Sequence, residues 1–169
     1  MTPQVPITHA RSMWGMFAMS FFMFVGVIFF LGQQAEPRPE SMSVYGPAFC
    51  LLALCTASLM PFIRKKLMGA QTLPLLMEKS SGPWDQDLDP EKAASILSSA
   101  RARYTTGMIV GFALCESTVL FGFCLAFLTM MPIVILPFAA AGLAGLVWQF
   151  PTEAGIQAVA RQLRAKSLA

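Results

Sequence analysis

Charge is what this chain has least of. Only 12% of its 169 residues are Asp, Glu, Lys or Arg, and there is one histidine, His9. The charges are also bunched, with none at 12–35, 41–63, 104–115 or 117–152. Within those stretches no second acid, histidine or nucleophile–base pair is available, so the usual acid–base and covalent chemistries have no residues to work with and no enzyme is expected. Cysteine is scarce too. Cys50, Cys55, Cys115 and Cys124 form no CxxC pair and have no histidine near them, which argues against a zinc or redox centre. Each is read as a small buried hydrophobe, and no metal or cofactor is expected. The net charge of +3 gives no case for nucleic acid, because a membrane protein accumulates basic residues at one face for a different reason.

What the chain does have is apolar length. Hydrophobic residues make up 56% of it and the mean hydropathy is +0.61. A bilayer core takes about 20 apolar residues per helix. The first two charge-free stretches each hold one span, at 13–31 and 45–63, and the last two together hold two more. The expected fold is therefore all-α: an integral membrane protein of four helices in two hairpins, with the lipid bilayer as its solvent. The segments are 1–12, an N-terminal segment; 13–63, the first hairpin; 64–103, a loop and amphipathic helix; 104–150, the second hairpin; and 151–169, a tail helix. The polar, mildly basic start before an apolar run has the outline of a signal peptide, but the length of the run favours a retained first span.

Connections are punctuated by proline. Pro37 and Pro39 interrupt the helical pattern between the first two spans, and Gly46–Pro47 is expected to bound the second. Arg64, Lys65 and Lys66 close that span in the manner of a headgroup anchor. An apolar patch at 72–77 is expected on the membrane surface or under the bundle. Asp85, Asp87, Asp89 and Glu91 alternate as in a calcium loop, but the downstream glycine and glutamate of such a loop are absent. Asp89–Pro90–Glu91 reads instead as a helix start, with a capping aspartate and proline in the first turn. No breaker follows, so one helix is expected to run from Pro90 to about Thr129. Of the twelve Lys and Arg, only Arg38 lies outside the N-terminal segment, the 64–103 region and the tail. The positive-inside rule then places both termini in the cytoplasm of a bacterial-type inner membrane.

One ionisable residue breaks the apolar pattern. Glu116 stands near the middle of the third span, where such groups mark ion paths, proton relays or a paired partner. An anionic carboxylate there needs a cation or basic partner; a neutral one needs a hydrogen-bond partner. On a second face of the same helix, Gly107, Gly111, Cys115, Thr118, Gly122 and Ala126 recur at spacings that keep them in line. Such a seam admits a neighbouring helix closely. The fourth span offers Gly142 and Gly145 in a run of alanines as the complement. Glu116 lies about 100° from the seam, among Phe112, Ala113, Val119, Leu120 and Phe123. Phe17–Ala18–Met19 in the first span weakly parallels Phe112–Ala113–Leu114 in the third, as in parallel repeats.

The stretch GFALCESTVLFGFCLAF around Glu116 resembles the carboxylate-bearing helix of the rotary ATP synthase c-subunit (proteolipid) family. That resemblance implies an oligomer, with H+ or Na+ held at the glutamate. It also implies ion contacts from Glu116, Ser117 and the carbonyl of Leu114, with Thr118 less directly involved. The partners expected are further copies of the chain or other membrane subunits. The alternative is a structural or accessory subunit of a larger membrane complex, in which Glu116 is a buried hydrogen-bond anchor.

Overall fold

The computed structural model describes residues 7–68 and 89–167. Every regular element among them is helical: α1 (Ile7–Gly32), α2 (Pro39–Met68), α3 (Pro90–Thr129), one 3-10 turn (Pro132–Val134), α4 (Ile135–Trp148) and α5 (Glu153–Ser167). The apolar patch at 72–77, the acidic residues Asp85 and Asp87, and residues 1–6 of the N-terminal segment lie outside the described residues.

α3 is the axis of the molecule and touches each of the other four helices. The Asp89 side chain accepts a hydrogen bond from the Glu91 N–H at 3.3 Å, and Pro90 fills a position whose N–H has no intrahelical acceptor. With no breaker inside it, the helix continues for 40 residues, about 60 Å at 1.5 Å per residue. It stops at Met130, whose backbone turns left-handed at φ 50° and returns its N–H to the Ala126 carbonyl. The Met131 N–H shares that carbonyl at 3.2 Å. Pro132 then opens the 3-10 turn, and the chain comes back along α3 as α4.

α1, α2 and α3 are each long and apolar enough to cross a membrane. The segment expected as the fourth span, 133–148, is a 3-10 turn followed by the short helix α4. α4 has 14 residues, about 21 Å, against a hydrocarbon core of about 30 Å. It reaches the length of a span only together with α5, from which it is bent by 62° across a short break. Pro151 lies in that break and has no N–H with which to carry the helix through it.

The second helix also differs at its start. It begins at Pro39 and carries Pro47 and Pro61 inside it, whereas Gly46–Pro47 was expected as a boundary. Pro39 is in the first turn, where its missing N–H leaves no bond unmade. Further along, membrane helices tolerate proline because neighbouring groups re-satisfy the freed carbonyls.

Packing follows simple spacing. α1 turns Phe17, Phe21, Phe24 and Ile28 inward, steps of 4, 3 and 4 that keep to one face, with Phe21 and Ile28 buried. Phe17 packs on Phe112 at 5.3 Å between ring centroids, and Phe24 on Phe123 at 5.6 Å. α2 presents Gly46, Phe49, Ala53, Thr56 and Met60, steps of 3, 4, 3 and 4, with Gly46, Ala53 and Met60 buried. Much of what remains on α1 and α2 is exposed and apolar, including Met16, Phe22, Leu51 and Leu54. In water this would be untenable; against lipid it is the expected outer surface.

Three of the four cysteines share that surface. Cys115 is buried, but Cys50, Cys55 and Cys124 are exposed and all four are free. Burial of all four was expected; a thiol is apolar enough to face acyl chains, so the position carries no demand for an inward face.

Candidate functional site

α3 sorts its residues by rotation. The seam residues Gly107, Gly111, Cys115, Thr118, Gly122 and Ala126 are all buried, and α4 with the loop after it lies across Gly111, Cys115, Gly122 and Ala126. A methyl group on Gly122 would overlap the Phe138 ring, and one on Gly111 would overlap the Gln149 amide. From the other side, a methyl on Gly142 would press on Val119, Phe21 and the Cys115 backbone oxygen. One on Gly145 would press on the Cys115 sulfur and Met60. α2 meets an adjacent strip of α3, where Thr56 and Thr118 share a hydroxyl–hydroxyl hydrogen bond of 3.1 Å. Ala53 packs with Leu125 and Phe138 there. α1 covers the Phe112–Phe123 side.

One face of α3 is left uncovered. Ala102, Thr106, Ile109, Ala113, Leu120, Cys124 and Phe127 are exposed along it. Glu116 stands at the edge of this face, half-buried between inward Phe112 and Val119 and outward Ala113 and Leu120. It is 13 residues from Arg103 and 13 from Thr129, so about 20 Å from each. That puts it close to the centre of the apolar length of the helix. No described residue makes a hydrogen bond or ion pair with its carboxylate. Among the described residues no three His, Cys, Asp or Glu side chains gather as a metal site.

The residues expected to act with Glu116 point elsewhere within one chain. Ser117 lies about 100° around the helix and donates to the Ala113 carbonyl at 2.8 Å. Thr118 lies about 160° away and donates to the Leu114 carbonyl at 3.0 Å, on the α2 side. Leu114 and Thr118 are thus brought together, while Glu116 stands apart from both. A coordination shell around Glu116 would need atoms from a further helix.

Two polar contacts escaped the sequence reading. Gln149, at the end of the 104–150 hairpin, is 5% exposed and packs against Gly111; its Nε2 lies 3.7 Å from the Cys115 sulfur and its Oε1 has no donor among the described residues. Trp14 Nε1 donates to the Leu146 carbonyl at 2.9 Å, a group in the last turn of α4. A glutamine between an apolar run and Pro151 is the only signal that pointed to the first. Nothing in the local sequence of Trp14 pointed to the second.

The chain matches no known protein family, no curated protein and no solved structure.

Proposed function

We propose that this is an oligomeric membrane protein that takes up a proton or sodium ion at Glu116, in a site shared between neighbouring chains. One observation carries the reading: Glu116, the carboxylate set within the apolar spans, has no partner among the described residues and sits at the edge of the uncovered face of α3. An intramembrane carboxylate is expensive to leave alone, and the chain's own hydroxyls are turned away from it. A helix from a second chain supplies what the first lacks, and a proton or sodium ion neutralises the charge. In this reading the chain crosses a bacterial-type inner membrane four times, with the bent α4–α5 pair as the last crossing and both termini cytoplasmic. The concentration of basic residues at one end of the bundle supports that orientation.

Labelling with a hydrophobic carbodiimide in native membranes tests it. Modification should map to Glu116, decline as pH rises and be suppressed by sodium if that is the ion. Glu116→Gln should abolish it, and Glu116→Asp should retain it in part. If Glu116 is inert at every pH, or Glu116→Gln leaves ion-dependent behaviour unchanged, the ion-site reading fails.

The engagement of Ser117 and Thr118 within their own helix favours a second reading. In it Glu116 is a hydrogen-bond anchor to a different membrane subunit, and the protein is an accessory component. Glu116→Gln, which keeps hydrogen-bonding capacity, would then preserve assembly, while Glu116→Leu would release the chain from its partner.

A further inference from the structure

The basic end of the bundle holds a second group of unengaged polar side chains. A pocket of about 20 Å³ opens between the start of α1, the N-terminal half of α3 and α5. His9, Arg101 and Thr105 reach it, and Ile7, Met13 and Ile156 make its apolar wall. Arg101 and Thr105 are four residues apart on α3 and so share a face. Neither they nor His9 make a hydrogen bond or ion pair with any described residue. For Arg101 and Thr105, which are half-buried, that is unusual, since polar groups withdrawn from water normally find partners. Tyr104, also at the pocket, is already engaged: its hydroxyl accepts the Thr152 N–H at 3.2 Å.

The position of the pocket identifies the ligand. Trp14 and Phe150 pack edge to face at 5.2 Å, Arg11 lies over the Phe150 ring at 5.9 Å, and Trp14 and Trp148 pack against the same cluster that holds Tyr104. Aromatic belts bordered by arginine mark the level of lipid headgroups. We infer that His9, Arg101 and Thr105 form a binding site for the phosphate ester of an anionic membrane lipid. A guanidinium, an imidazole and a hydroxyl are all donors suited to phosphate oxygens. A space of this size takes one phosphate oxygen with the rest of the headgroup at the mouth. From Met13 onward, α1 exposes Met16, Met19 and Met23 at helical spacing, an adaptable track for an acyl chain.

The test uses the full-length chain, delipidated in neutral detergent and titrated with phosphatidylglycerol. Lipid adducts are counted by native mass spectrometry, and thermal unfolding is followed in parallel. Two controls separate the parts of the ligand: diacylglycerol lacks the phosphate, and glycerol phosphate lacks the acyl chains. Phosphatidylglycerol should be retained and should raise the melting temperature, whereas neither control should do so. Arg101→Gln should weaken retention about fivefold, the effect expected of one basic residue at a membrane surface. His9→Gln, at an exposed position that does not endanger the fold, should weaken it measurably, and Lys92→Gln, on the same helix as Arg101 but away from the pocket, should not. Equal retention by wild type, Arg101→Gln and His9→Gln would overturn the assignment. So would equal binding of diacylglycerol, or glycerol phosphate binding as tightly as the lipid.

Discussion

Met130 adopts a backbone conformation that costs a non-glycine residue roughly 1–2 kcal/mol, and it does so at the one turn that sends α4 back along α3. Its left-handed φ ends the helix and lets Met131 lead directly into Pro132. Met130→Gly should therefore hold or raise the melting temperature in detergent, while Met130→Val, with a branched Cβ, should lose about 1 kcal/mol or more. Equal stability of the two variants would show that the turn relaxes. At this scale the sequence was informative where chemistry is local. The Asp89–Pro90–Glu91 start was legible because a cap needs only the right residue at the right offset. Gln149 was not, because its burial depends on the 62° bend that follows it, and a bend of that size is set by what α5 packs against. The half-buried state of Glu116 was legible only as a rotation on a wheel; which neighbour covers each flank depends on where α1 settles.

Between elements, glycine decides how near two helices come. A Cβ at Gly142 would stand 3.1 Å from the Cys115 backbone oxygen, in addition to meeting the Val119 and Phe21 side chains. A side chain can rotate aside, but the backbone of a 40-residue helix cannot. Gly142→Val should thus force α4 off α3 and lower stability by roughly 1–3 kcal/mol. Ala140→Val, on the exposed side of the same helix, should be close to neutral. Thermal unfolding of the two proteins side by side would decide it, and a neutral Gly142→Val would mean that α4 is not held on the seam. The small-residue line on α3 was readable from spacing alone. The shortness of α4 was not, since an apolar run through Pro137 and up to Trp148 has the composition of a full span whether or not its ends are helical.

For the molecule as a whole, the uncovered face of α3 is the place where another chain would complete the structure. Cys124 lies on it, two turns beyond Glu116. If like chains meet there, a variant with Cys50→Ala and Cys55→Ala should form a Cys124-linked dimer on mild oxidation in membranes. Cys124→Ser in that background should abolish the dimer. Absence of any cross-link, with Cys124 still open to thiol reagents in the membrane, would count against a homo-oligomer built on this face. Sequence does not single out this face, because an apolar residue at a lipid surface and one at a protein interface obey the same composition.

The uninterrupted length of α3 has a mechanical consequence. Glu116 and the Asp89 cap are joined by about 40 Å of unbroken helix, and the two glycines along it, Gly107 and Gly111, are both buried. Such a rod acts as a lever: pivoting by about 5° at Glu116 would swing its outer end by roughly 3 Å, on the geometry of a straight helix. If Glu116 takes up an ion as proposed, that event has a direct material link to the N-terminal end of α3, with no break in the helix between the two.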